Sequence, residues 1–502
     1  MKSVQCATYE GIEAKRVCVE ATLTKGLPSF SIVGMASTSI TEAKERVKSA
    51  LLSNEYALPP KRITISLSPS DVSKSGSQFD LSIALMILLN NHAQSLSEWY
   101  VFGELGLDGS VKENDALYPL ILSLANQKVL TKLIVPYESL PKLSKIPNIE
   151  LYGVKSLKEA YEFLSAKVNL MPYESLKAFE YPKREIEGSE YFYEEKYPKD
   201  FIDVKGQHNA KRAALIAAVG FHNIILEGSP GCGKSMIAQR LVHILPPLSM
   251  DEILEIAKLD ILDSKEPSFA PTRRIRSPHH TSTMASIFGG GTQKAMIGEV
   301  GLANHSVLFF DELPHFSKNI LEALREPMQD DKIRISRVNS KVEYGSKFLF
   351  IGAMNPCPCG NLLDETKECR CSEPEIKRYK NRLSDPFLDR IDLSVVMQNV
   401  KHDDKASWSS QEMHQMVIGA FEFQRKRAQK SYNAKLSDAE IERFCILSGD
   451  AQEVLQKAIL RYGLSFRAIK KIQKVSRSIA DLARSEMIEK EHLLEALSFR
   501  RR

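Results

Sequence analysis

The stretch "GSPGCGKS" comprises Gly228, Ser229, Pro230, Gly231, Cys232, Gly233, Lys234 and Ser235, and it satisfies the pattern G-x-x-x-x-G-K-[ST] in full. Glycines at these places let successive backbone N–H groups wrap the phosphates of a nucleotide. The lysine then reaches the β and γ oxygens, and the hydroxyl ligates Mg²⁺. ATP and Mg²⁺ are the cofactors this implies, and Cys232 need only be small. Hydrolysis asks for two carboxylates more, one near the metal and one beside the attacking water. "SVLFFDEL" supplies both at the end of an apolar run: Asp311 for the Mg²⁺ shell and Glu312 to polarise water. "KFLFIGAMN" ends at Asn355, whose amide could hold that water or the γ-phosphate. In "RLSDPFLDRIDL", Arg390 suits a guanidinium donated across a subunit boundary to the transferring phosphoryl group, with Arg382 the competing candidate. Arg467, near the start of the helix in "GLSFRAIKKIQKVSRSIADL", stands where a lid arginine would.

Directly after Asn355 come Cys357, Cys359, Cys369 and Cys371, two Cys-x-Cys pairs separated by nine residues. Four thiolates can close a tetrahedral Zn²⁺ site with no open position for catalysis. Free reduced thiols on a loop are the plain alternative, and a redox switch a third. If metal binds, it acts as a clip that fixes the chain behind Asn355.

Basic residues are concentrated rather than abundant. The formal charge is only +5, but Lys and Arg gather in "RKRAQK", "RAIKKIQKVSR" and "FRRR" near the carboxyl end. "DKIRISRVNSKVEYGSKF" reads as a β-hairpin turning at Asn339-Ser340, with Lys332, Arg334, Arg337 and Lys341 available to line a pore and contact DNA phosphates. "APTRRIRSPHH" is a second basic stretch. The alternative is that these charges only keep edge strands from pairing.

These groups need a scaffold. A chain of 502 residues, 43% apolar and 26% charged, is expected to form two to four globular domains. No apolar run approaches the roughly 20 residues of a membrane span, and the start lacks a signal-peptide core, so a cytoplasmic protein without membrane partners is expected. Residues 1–165 alternate β-rich runs ("RVCVEATL", "SFSIVG", "RITISLS", "KLIVP") with helical ones ("SITEAKERVKSALL", "FDLSIALMILL"), an α/β domain. Residues 166–200 are charged, Pro-punctuated and aperiodic, and read as a linker. Residues 201–395 repeat strand, phosphate loop and helix, a P-loop α/β core, and 396–502 read as a helical lid domain.

The series "DVKGQHNAKRAALIAAVGFHNIILEGSPGCGKS", "SPHHTSTMASIFGGGTQKAMIGEVGLANHSVLFFDELPHF", "NPCPCG" and "LDRIDL" resembles the magnesium-chelatase-like AAA+ proteins of the YifB/ComM group, over nearly the whole chain. The resemblance implies an ATPase with Asn355 as sensor 1, Arg390 as arginine finger and Arg467 as sensor 2. It implies a ring hexamer driving DNA branch migration, as a helicase in natural transformation, alongside other recombination proteins. "GLPSFSIVGMA" and "LSPSDVSKSGSQFDLSIAL" resemble that group's amino-terminal domain of Lon-protease-like fold. There Lys112 resembles the Lon lysine, but Gln78 stands where the nucleophile belongs and Ser77 is one position off, so a non-proteolytic module is expected. Porphyrin metallation is not expected, because a chelatase motor lacks this first domain. The alternative function is an AAA+ remodeller or chelatase-type motor acting on a protein partner.

Overall fold

The computed structural model describes residues 2–10, 13–90, 96–174, 179–290, 296–336, 341–400 and 404–500. The chain divides into two compact units, Met1–Glu180 with Asp260–Pro267, and Tyr181–Leu259 with Ser268–Arg502.

The first unit is built on a seven-stranded mixed sheet in the order Ser29–Val33, Arg62–Ser68, Glu13–Thr24, Ser3–Glu10, Trp99–Val101, Lys132–Pro136 and Glu150–Val154. The β-branched runs picked out in the sequence are four of these strands. The helical patterns become Thr38–Ser53 and Asp80–Leu88, the second buried from Asp80 to Ile87. A carboxylate inside a helix so apolar requires a partner, and Arg46 Nε donates to Asp80 Oδ2 at 2.6 Å.

In the second unit five parallel strands run in the order Ile275–Arg276, Val307–Phe310, Leu349–Met354, Ile224–Gly228 and Leu393–Met397. Continuous apolar runs suit this sheet because both faces are covered. Glu227 stands opposite Met354, and Phe310 opposite Gly352. Gly228, Asp311 and Asn355 therefore leave the sheet at one carboxyl edge, the edge where open α/β sheets bind ligands.

Two features of the packing bear on the domain boundaries. Part of the supposed linker folds: Lys183–Ile186 and Ser189–Phe192 form a hairpin that pairs with Leu248–Ser249. Its strands are four residues long, and only Ile186, Phe192 and neighbouring Tyr193 are buried, too few apolar positions to show a period. The third strand lies more than fifty residues downstream, where no local pattern could announce it. The helices Ser410–Lys426, Asp438–Phe444, Gly449–Tyr462, Phe466–Leu482 and Lys490–Ser498 do make the end of the chain helical. All but Asp438–Phe444, whose Ile441 and Phe444 belong to a smaller cluster with Ala480 and Ile488, share one hydrophobic core with the sheet, joining Leu226 and Ile351 to Val417, Ile479 and Leu493. The division at 395/396 is a change of composition and not a break in packing.

Candidate active site

The phosphate loop joins the strand Ile224–Gly228 to the helix Lys234–Leu241. Gly231 and Gly233 take φ of +84° and +99°, left-handed conformations that side chains resist. A Cβ on Gly228 would lie 2.6 Å from Cys232 Sγ and 2.9 Å from the Met397 carbonyl, so the loop starts where the backbone has no room. Lys234 Nζ donates to the carbonyls of Gly228 (2.6 Å) and Ser229 (3.0 Å) and to Asn355 Oδ1 (3.2 Å). Burial lowers its pKa. Ser235 Oγ donates to Asp311 Oδ2 at 2.9 Å. Three strand ends are thus tied together through the lysine, serine, aspartate and asparagine singled out from the sequence.

Glu312 follows Asp311 in a left-handed conformation, φ +50° and ψ +44°. Such a conformation costs a non-glycine residue about 1–2 kcal/mol, and here it turns the side chain out of the sheet line. The Glu312 side chain is 57% exposed, with His280 Nδ1 3.6 Å from its Oε2. The His280 ring lies 4.2 Å from that of His279 and 5.9 Å from that of His315, and the His315 ring lies 6.2 Å from that of Tyr379. Burial pushes the Tyr379 hydroxyl up to about 12, with the nearby main chain of Asn355 acting in the opposite direction.

The four cysteines form one cluster. Their Sγ atoms all lie within 4.8 Å of one another, with Cys357 3.4 Å from Cys359 and 3.7 Å from Cys369. A tetrahedral Zn–S₄ centre with bonds of about 2.3 Å needs sulfurs about 3.8 Å apart, so the thiols fit such an ion. Main-chain N–H groups of Asn361 and Arg370 pull the Cys359 thiol down to about 6. Gly360, inside this loop, lies against the phosphate loop: a Cβ there would meet Pro230 Cδ at 2.7 Å.

The arginines separate. Arg382 Nη1 donates to the Pro314 carbonyl at 3.3 Å, beside this chain's own acidic turn, and lines a 240 Å³ hollow with His315, Arg378 and Tyr379. Arg390 instead donates to Gln329 Oε1 (2.9 Å) and the Pro386 carbonyl (2.8 Å). Burial, with Arg467 and Arg325 nearby, lowers its pKa. Arg467 lines a 440 Å³ cleft with Asp385, Asp389, Asp392 and Lys471. The same cleft reaches Glu227 and Met354, which stand just before Gly228 and Asn355, and Arg467 also lies near Arg390.

The hairpin Lys332–Ser336 and Lys341–Gly345 is antiparallel as expected, while its turn, with Arg337, lies outside the described residues, as does the side chain of Lys341. Glu343 takes up both describable cations, Lys332 Nζ at 2.5 Å and Arg334 Nε at 3.0 Å. In the first unit Gln78 is buried, donating to the carbonyls of Ala7 (3.2 Å) and Ser75 (3.0 Å). Ser77 Oγ donates to the Glu104 carboxylate and accepts from Asn114, while Lys112 stands across from Glu104 in strand register.

Some neighbours of the site escaped sequence reading. Gln207, with φ +52°, ties the Cys232 carbonyl to that of Gln398 through Nε2 (3.0 and 2.5 Å). Lys380 pairs with Glu227 at 2.9 Å. The two adjacent imidazoles of "SPHHT", ahead of an acidic strand, were a usable signal for the neighbours of Glu312.

Profiles described as "Magnesium chelatase, subunit ChlI", "Subunit ChlI of Mg-chelatase" and "Magnesium chelatase, subunit ChlI C-terminal" match residues 200–405, 19–139 and 407–500. The competence protein ComM of Haemophilus influenzae is 37% identical over 500 residues, 98% of this chain and 95% of the relative. The uncharacterized protein YifB of Salmonella typhimurium is 36% identical over 504 residues, and YifB of Escherichia coli 36% over 506, each covering 98% of this chain and 95% of the relative.

Proposed function

The chain belongs to the magnesium-chelatase-like AAA+ ATPases of the YifB/ComM family, and from that premise we propose that it is an ATP-hydrolysing ring motor, a hexamer that moves branched or single-stranded DNA during recombination. The observation that carries the reading is the joining of Ser235 to Asp311 and Lys234 to Asn355 at one sheet edge.

In this reading Lys234 releases its carbonyl contacts to hold the β and γ phosphates, and Ser235 with Asp311 would hold the metal ion. Mg²⁺, when bound, neutralises charge on the phosphate oxygens. Glu312 polarises the attacking water, its imidazole neighbours keep the carboxylate in place, and Asn355 orients the γ-phosphate or that water. Arg390 is presented as a finger to the nucleotide of the next subunit, and Arg467, in a cleft that also reaches Glu227 and Met354, serves as the lid arginine, sensor 2. The cysteines hold structural Zn²⁺ and clip the chain between Asn355 and Pro230. The first unit has a Lon-like fold that is not proteolytic, because a buried amide stands at position 78 and Ser77 is bonded to a carboxylate.

The DNA reading rests on likeness to a competence protein and on the basic hairpin, and the motor would work in the cytoplasm. Among the described residues no helix is long and apolar enough to cross a membrane. A second reading, a protein-remodelling motor, gains from Glu343, which neutralises part of the hairpin's charge. ATPase rates with and without single-stranded, duplex and branched DNA separate the two. The DNA motor predicts stimulation that vanishes in Glu312→Gln and movement of a four-way junction. Absence of both binding at low salt and stimulation would refute it.

A further inference from the structure

Three consecutive residues that carry the arginine finger are fastened from both sides. Asn223, 6% exposed, precedes the P-loop strand, and its Nδ2 donates to the Arg390 carbonyl at 2.9 Å. Its main-chain N–H donates to Asp392 Oδ2 (3.0 Å), and its carbonyl accepts from the N–H groups of Asp392 (2.9 Å) and Leu393 (3.0 Å). Its Oδ1 accepts from the N–H of Phe350 at 3.0 Å, in the strand that ends at Asn355. From the other side Lys471 Nζ donates to the Ile391 carbonyl at 2.9 Å, and Lys471 is one helical turn beyond Arg467. His222 closes the arrangement: buried, it lies 3.5 Å from Asp392 through Nδ1 and 2.8 Å from Ser478 Oγ through Nε2. No sequence motif drew attention to Asn223, which reads as an ordinary strand-start residue.

We propose that Asn223 and Lys471 are positioning residues for the arginine finger, fixing Arg390 to the strands of its own subunit's nucleotide site so that the state of one site sets the arginine offered to the next. The inference rests on the reading of Arg390 as a finger acting in trans. Asn223 satisfies partners on two separate segments, 390–393 and the strand at Phe350, with one buried side chain and its own peptide groups. Substitution by alanine leaves the Arg390 carbonyl and the Phe350 N–H unpaired, and the segment shifts. A displacement of about 1 Å in a group that meets the transition state costs on the order of 100-fold in rate.

The test is ATP hydrolysis by full-length protein in separate and mixed rings. Asn223→Ala is expected to bind nucleotide as the parent does and to hydrolyse it about 10- to 100-fold more slowly. Glu312→Gln protein is inactive but keeps its own Asn223 and Arg390. Mixing it with Asn223→Ala should raise hydrolysis above the sum of the two alone, as mixing it with Arg390→Ala should. Recovery with Arg390→Ala but not with Asn223→Ala overturns the positioning role, and unchanged hydrolysis by Asn223→Ala overturns it too. If Arg390→Ala is not rescued either, the finger reading itself fails. Should Asn223→Ala not fold, Lys471→Met attacks the same segment from the helix side, and the same two mixtures decide.

Discussion

Gly360→Ala tests whether the cysteine loop and the phosphate loop act as one body. Gly360 has φ +82°, and a Cβ there would lie 2.7 Å from Pro230 Cδ and 2.8 Å from its Cγ. An L-residue in left-handed backbone costs about 1–2 kcal/mol. Reaching ordinary contact at 3.4 Å from 2.7 Å requires the two loops to part by 3.4 − 2.7 = 0.7 Å. Pro230 is a rigid ring, so the shift must come from backbone on one side or the other. Overpacking of this kind costs about 1–3 kcal/mol, and if roughly 1.4 kcal/mol of it is relieved by moving the phosphate loop, nucleotide binding weakens about tenfold in Kd. The substitution removes no phosphate ligand and no thiol. Gly188→Ala is the control, since Gly188 has φ +73° but nothing within 4 Å of its Cβ. It should lower Tm without changing Kd. The assay is titration with a fluorescent ATP analogue, with metal content and Tm measured on the same samples. A Gly360→Ala protein that keeps its metal and binds within twofold of the parent would show that the two loops are independent.

Purified without chelators, the protein is expected to carry about one Zn²⁺ per chain and to lose it in Cys369→Ser/Cys371→Ser, by elemental analysis; zinc far below one per chain ends the clip. Glu343→Gln frees Lys332 and Arg334, so DNA binding at low salt should tighten and the slope of log K against log salt steepen by about one to two charges. An unchanged slope removes this hairpin from the DNA path. Burial lowers His414 to about 4, with Tyr197 Oη 2.9 Å from its Nδ1. The unfolded chain then takes up a proton near pH 6.5 that the folded chain refuses. Stability is full above that pH and is lost as pH falls towards 4, by up to roughly 3 kcal/mol. Thermal melts from pH 7 to 5 should show a smaller loss in His414→Phe, and an identical loss would refute the assignment.

Much of the site was readable because its parts are local. A phosphate loop, an acidic strand end and a polar strand end each announce themselves within ten residues, since each combines a buried apolar strand with polar residues where it leaves the sheet. The hairpin at 332–345 was readable for the same reason. What could not be read was pairing over distance. The short strands at 183–192 need Leu248–Ser249 to become a sheet, and the charge of Lys332 and Arg334 is met by a glutamate on the opposite strand.

From the sequence alone came the candidate groups: Lys234, Ser235, Asp311, Glu312 and Asn355, proposed for phosphate chemistry, four cysteines proposed for a metal, and a choice of arginines. Tertiary structure decided their company. It placed Gly360 on Pro230, set Tyr379 beside Asn355, and brought Arg467 near Arg390 in a cleft that also reaches Glu227 and Met354. The physical reason is that residue type fixes what a side chain can donate, accept or ligate. Which partner it meets depends on strand order and helix packing, and these bring together residues such as Asn223, Phe350 and Arg390 that are remote in sequence.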